Sequence, residues 1–244
     1  MVQRVVRQAR LANLTEDITL ATNASQQDII VNQLGDSVNL VTEPERRDTF
    51  PALAASYLKL AKQYADDEVV VIMLCDPYTE LGYFETIGKM VECVKNIVAD
   101  LVLMRIQPTY PSEKYGYVVP ASQVSEGFKG MVTEPVEVQM VQRFTEKPTV
   151  EKAKELLAQN AFWNGGVFAF SLGYMMNIVK KYMTSDSFED TRARYSEFPK
   201  ISFDYEVAEK AESVAVVPIN GEWKDLGTWN TLTDELQNQL SVMP

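Results

Sequence analysis

In several places along this chain, charged and amide groups stand beside glycine or proline at the ends of apolar runs. These are Glu43-Pro44-Glu45-Arg46-Arg47-Asp48-Thr49, Pro111-Ser112-Glu113-Lys114-Tyr115-Gly116-Tyr117, Phe144-Thr145-Glu146-Lys147-Pro148, Phe162-Trp163-Asn164-Gly165-Gly166 and Trp223-Lys224-Asp225-Leu226-Gly227-Thr228-Trp229. Such residues at strand ends line binding sites more often than they pack cores. The chain has no histidine, which removes His-based acid–base chemistry, catalytic triads and the common zinc sites together. Carboxylates, Lys, Arg, amides, backbone and a hard metal are left to do the chemistry. No Ser, Cys or Lys is placed as a covalent nucleophile. Cys75 and Cys93 lack metal-ligand spacing and cannot build a disulfide framework. Cys75 lies in an apolar run and Cys93 in a helical pattern, so both read as buried thiols.

Each motif also has a plainer reading. Asp76 closes the run Val69-Val70-Val71-Ile72-Met73-Leu74-Cys75, at the carboxyl edge where open α/β sheets bind ligands. Alone, an Asp before Pro more often starts a turn. Asp225, taken without the companion motifs, reads better as a turn Asp capping a following helix. Glu146-Lys147-Pro148 ends a strand at a proline, and by itself is as well explained by a solvated charged turn. Tyr115 and Tyr117 fit a core pair. Asp204, in Ser202-Phe203-Asp204-Tyr205, fits a first-turn acid favoured by the helix dipole.

The elements that must position these groups alternate. Val2, Val5, Val6 and Ala9 repeat at helical spacing, and residues 18–22 form a short strand. Ser25-Gln26-Gln27-Asp28 matches a capping box opening a helix to Leu34, closed by Gly35. Residues 38–42 form a second strand, and Pro51 begins a helix to about residue 65. The continuous apolar run 69–75 predicts a fully buried parallel strand. A helix carrying Phe84, Ile87, Val91, Val94 and Val98 and a strand over 101–106 follow. Three strand–helix repeats predict a parallel sheet with helices on both faces. Beyond residue 108, strands over 116–120, 136–144 and 166–170 suggest a mixed sheet, with helices over 150–160, 172–182 and 203–211. A last apolar run, 213–219, leads to Trp223.

With 244 residues the chain suits one domain, whose texture changes near residue 108. Its 46% hydrophobic and 23% charged content is that of an ordinary globular protein. No apolar run nears the ~20 residues that span a bilayer, and the N-terminus lacks a signal-peptide pattern, so no membrane is expected and the cytoplasm is the default location. A net charge of −11 argues against nucleic acid but not against a nucleotide held by local cations and a divalent ion.

Taken together, the motifs resemble the sugar-1-phosphate nucleotidyltransferases, and within them the mannose-1-phosphate guanylyltransferases. The likeness implies an α/β, Rossmann-like nucleotidyltransferase fold with a mostly parallel central sheet flanked by helices, its nucleotide half over about 1–108 and its sugar half over about 109–244. It implies GTP and mannose 1-phosphate as substrates, Mg²⁺ as cofactor, and Asp76 and Asp225 as its ligands. Both would be catalytic along with Lys147, which meets the sugar phosphate. Glu146, Asn164, Gly165 (where the family has a small Ser), Tyr115, Gly116 and Asp204 would bind the sugar. Glu43, Pro44, Arg47, Asp48 (where the family has Asn) and Thr49 would face the nucleobase. The implied reaction is in-line attack of the sugar-phosphate oxygen on the α-phosphorus of GTP, giving GDP-mannose and pyrophosphate. A homo-oligomer is left open.

Members of that family begin with a strand and a Gly-rich loop whose backbone N–H groups cradle the triphosphate. Nothing like it occurs in these 244 residues. The expectation is therefore a chain lacking the first strand, also shortened after Trp229, with open sheet edges and little turnover. The rival readings are a non-catalytic relative or subunit that binds a nucleotide sugar, and a glycosyltransferase of similar fold. Glu146-Lys147-Pro148 with Asn164-Gly165 fits a pyrophosphorylase better than the latter.

Overall fold

The computed structural model describes residues 1–128, 136–183, 187–221 and 223–225, the side chains of 122–128, 136, 224 and 225 excepted. Helix α1 (Val2–Leu11) buries Val5, Val6 and Ala9, as the spacing predicts. Strand β1 (Thr19–Asn23) leads into α2 (Ala24–Leu34), which buries no residue. The cap of α2 is Asn23, whose Oδ1 accepts from Ser25 N; the capping box expected at Ser25 does not form. Gly35, at φ 56°, ends the helix where a residue with a Cβ would be strained. Strand β2 (Asn39–Glu43) pairs parallel with β1 as a separate two-stranded sheet. Helix α3 (Thr49–Leu60) follows and is shorter than expected.

Strand β3 covers only Val69–Ile72 and is half-buried throughout. It pairs antiparallel with β8 (Phe162–Ser171). The expectation of a fully buried parallel strand through Cys75 is thus corrected. The chain leaves the sheet after Ile72, and Cys75 is exposed; Cys93 is buried. Strand β4 (Pro77–Thr79) and helix α4 (Leu81–Lys95) come next, with Tyr83, Phe84, Ile87, Met90 and Cys93 on the buried face.

The main sheet has the order β3-β8-β5-β9-β7-β6, where β5 is Leu101–Ile106, β6 Tyr117–Phe128, β7 Val136–Thr145 and β9 Val214–Pro218. Strands β3, β5 and β9 share one direction, but only β5 and β9 are neighbours, because β8 runs antiparallel between β3 and β5. The α/β class stands, while the pairing among described residues is mixed rather than mostly parallel. The reason lies in β8 itself, which is apolar on both faces and so takes a central place. Phe168 and Phe170 face one core, formed with α3, α6 (Leu172–Val179) and Phe203, while Val167 and Ala169 face the other, under α4. A third cluster around Trp163, Tyr117, Ala153 and Leu156 sits under α5 (Val150–Leu157).

Phe170 is fully buried, with ring centroids 5.7 Å from Tyr57 and 5.8 Å from Phe203. It therefore ties β8 to α3 and to the segment before Asp204. Phe170→Ala is expected to lower the unfolding free energy by about 3–5 kcal/mol, read by urea denaturation as a lower midpoint at unchanged slope.

Candidate active site

The Phe162-Trp163-Asn164-Gly165-Gly166 motif lies inside β8, not in a loop. The β5–β8 register slips between Leu103 and Arg105, opposite this segment. Such irregularities re-aim side chains. Asn164 N donates to Gly116 O at 2.8 Å, so the strand carrying the amide is fixed to the start of β6. The carboxamide of Asn164 is fixed as well. Its Oδ1 accepts from Gly166 N at 3.1 Å, and its Nδ2 donates to Asp204 Oδ1 at 2.9 Å. Gly166 holds φ 68°, which turns that N–H back toward Asn164.

Glu146 and Lys147 follow β7. Lys147 has φ 42°, a left-handed conformation unusual for a non-glycine residue and more so before proline. Its ammonium lies 3.1 Å from Glu146 Oε1. Glu146 is only 7% exposed, and its Oε2 has no hydrogen-bond partner among the described residues. A Cβ on Gly116 would stand 2.5 Å from that oxygen, 2.9 Å from Phe144 Cζ and 3.4 Å from Asn164 Cβ. A side chain there would have to displace the carboxylate and the Phe144 ring. Gly165 faces Met104 O and Ile106, each 3.1 Å from where a Cβ would lie. Close packing on β5 is what limits that position.

Burial, then the nearby Asp204, pushes the Glu146 carboxyl up to about 7, against the pull of Lys147. Burial also raises Asp204, opposed by Lys147 and by the Asn164 hydrogen bond, with Asp48 adding to the rise. Burial lowers the Lys147 ammonium, but the Glu146 hydrogen bond and the Glu146 and Asp204 charges outweigh it. Two carboxyls and one ammonium thus share a confined space.

The loop 43–49 is tied to the segment that carries Asp204. Arg47 Nε donates to Phe198 O at 3.0 Å and Nη1 to Glu45 Oε1 at 2.8 Å. Phe203 N donates to Thr49 Oγ1 at 2.8 Å, and Tyr195 OH to Glu43 Oε2 at 3.0 Å. Asp48, at φ 71°, caps α3 through Thr49 N at 2.7 Å. A cavity of ≈ 530 Å³ touches this loop at Pro44, against Phe188, Glu189, Arg192 and Ala193. Tyr195 carries no signal in the sequence beyond an aromatic at a buried position.

Strand β10 (Trp223–Asp225) pairs antiparallel with β4, and Asp225 falls opposite Pro77, the residue after Asp76. The backbone therefore brings Asp76 and Asp225 to one place; the Asp225 side chain and residues 226–229 lie outside the described residues. Among the described residues no group of three acidic or sulfur ligands forms. The oxygen donors available are hard and anionic, which suits Mg²⁺ completed by water and phosphate. Trp223 meets Tyr115 at 5.8 Å between centroids, and Tyr115 meets Trp163 at 4.8 Å. Leu74, two residues before Asp76, lies 3.1 Å from where a Cβ on Gly166 would be. These contacts connect the Asp76 loop and β10 to the Asn164 segment. No helix among the described residues is long and apolar enough to cross a membrane.

A family profile described as Nucleotidyl transferase matches residues 1–241. A mannose-1-phosphate guanylyltransferase of Sinorhizobium fredii (strain NBRC 101917 / NGR234) is 28% identical over 220 residues, covering 82% of this chain and 41% of that protein. One from Escherichia coli (strain K12) is 27% identical over 214 residues, covering 80% and 43%. The chain thus spans less than half the length of these curated relatives. Among solved structures, a Thermus thermophilus protein described as a mannose-1-phosphate geranyltransferase has TM-score 0.78 at 28% identity, over 96% of this chain and 68% of that one. UTP-bound UGPase from Acinetobacter baumannii has TM-score 0.61 at 14% identity, over 98% and 81%, a likeness of fold alone.

Raising the Glu146 carboxyl makes stability depend on pH. Between the ordinary 4.5 and about 7 the folded chain keeps a proton that the unfolded chain has lost, so stability is shed as pH rises through that window. Glu146→Gln lacks this loss. Its unfolding free energy relative to wild type is expected to rise by roughly 1–2 kcal/mol between pH 5 and pH 8, measured by denaturation at both pH values.

Proposed function

The chain belongs to the nucleotidyl transferase family, and from that membership we propose that it serves nucleotidyl transfer to mannose 1-phosphate, with GTP as donor. What carries this reading is the Glu146–Lys147 pair set against Asn164 and Gly116. A carboxylate accepts from sugar hydroxyls, an ammonium meets a phosphate, and a glycine admits the ring close to backbone. The guanylyltransferases among the relatives support the choice of sugar and base.

In the proposed reaction a phosphate oxygen of mannose 1-phosphate attacks the α-phosphorus of GTP. The bond to the β-phosphate oxygen breaks, and pyrophosphate leaves. Lys147 holds the sugar phosphate and offsets its charge. Glu146 and Asn164 hold the ring, so the attacking oxygen is aimed before reaction. The loop 43–49, braced by Phe198 and Phe203, faces the nucleobase. Mg²⁺ held by Asp76 and Asp225 would supply charge neutralisation on the nucleotide phosphates.

Calorimetric titration with mannose 1-phosphate tests the site. Saturable binding is expected, weakened at least about tenfold by Lys147→Ala, the loss of one charge-assisted contact. Absence of binding up to ~10 mM, above the ordinary range of KM values, would sink the assignment. Parallel measurement of Mg²⁺-dependent pyrophosphate release tells whether the bound sugar phosphate also reacts.

A further inference from the structure

Both polar atoms of the Asn164 carboxamide are already engaged within the protein. Gly166 N can only donate, so the carboxamide atom facing it at 3.1 Å must be the oxygen. The nitrogen then faces Asp204 Oδ1 at 2.9 Å, which can only accept while ionised. Turning the amide over would set donor against donor and acceptor against acceptor. One N–H of Asn164 stays uncommitted among the described residues.

Close by, Glu146 Oε2 is a buried acceptor without a partner among the described residues. The two side chains are neighbours beside Gly116: a Cβ there would stand 2.5 Å from Glu146 Oε2 and 3.4 Å from Asn164 Cβ. A free donor and a free acceptor on neighbouring side chains suit a group that both accepts and donates. A hydroxyl does so; an ether or a methyl does not.

We propose that Asp204 is a positioning residue that acts through Asn164. By accepting one amide N–H it leaves the other as the donor that, with Glu146, reads a single sugar hydroxyl. Asp204 itself need not touch the ligand. The inference rests on the sugar site assigned above, and deepens it by giving Asn164 a donor-only role and the substrate a required hydroxyl.

The test compares Asp204→Asn, which can still accept from Asn164, with Asp204→Leu, which cannot. In ¹⁵N spectra the Asn164 side-chain amide, identified by its loss in Asn164→Ala, is expected to show one slowly exchanging proton in wild type and Asp204→Asn. It is expected to exchange fast in Asp204→Leu. Affinity for mannose 1-phosphate should stay within about threefold in Asp204→Asn and fall at least about tenfold in Asp204→Leu, as for one buried hydrogen bond, while GTP affinity stays level. The proposal is overturned if the wild-type amide protons exchange like exposed ones. It is equally overturned if Asp204→Asn fails as fully as Asp204→Leu, or if GTP binding falls in step. If wild type does not bind mannose 1-phosphate at all, the functional assignment fails, while the amide spectra still decide the role of Asp204.

Discussion

β8 is hydrogen-bonded to β3 along one edge and to β5 along the other, and at its start also to β6. Its second half carries Phe168 and Phe170 into one core and Val167 and Ala169 into the other. Its first half carries Asn164 and Gly166. The same backbone therefore fixes the core and the site, and the slip opposite Leu103–Arg105 marks where one use gives way to the other. A close-packed interior transmits displacement rather than absorbing it. Moving Phe170 would shift Phe203, and Phe203 is bonded to Thr49 and precedes Asp204. The loop 43–49, Asp204 and Asn164, distant in sequence, are in this way held to one frame.

Much of this is legible in the residues because it depends on local rules. The helical spacing of Val5, Val6 and Ala9, the apolar strand 101–106 and the closing glycine at Gly35 are set by periodicity and backbone freedom. The motifs around Glu146, Asn164 and Gly116 are visible because polar groups beside glycine at apolar ends are poor core material. Pairing is not legible. Nothing in the sequence says that β8 enters between β3 and β5, since a run apolar on both faces fits a central strand of either direction. Cys75 defeats the sequence reading for the same reason: an apolar run does not show where the chain leaves the sheet, and here it does so after Ile72. The cap at Asn23 wins over Ser25 because its side chain reaches Ser25 N and Ser25 Oγ together.

The Glu146–Lys147 pair sets a condition on any ligand. The carboxylate is buried and its charge is already opposed by burial and by Asp204. A bare phosphate drawing Lys147 away would take from Glu146 the cation that favours its ionised form, pushing the buried carboxyl further toward its protonated state. A neutral sugar could donate to Glu146 Oε2 but would gain nothing from the ammonium. A molecule bearing both a hydroxyl and a phosphate can satisfy both, the hydroxyl replacing what Glu146 loses as the phosphate takes Lys147. For the sugar site proposed above, this coupled exchange would favour a sugar phosphate over either of its halves, in a chain whose net charge of −11 repels anions on approach. The left-handed backbone at Lys147 places the ammonium beside its own neighbouring carboxylate. The strain there is of order 1–3 kcal/mol, and it holds the two charges where one ligand can meet them together.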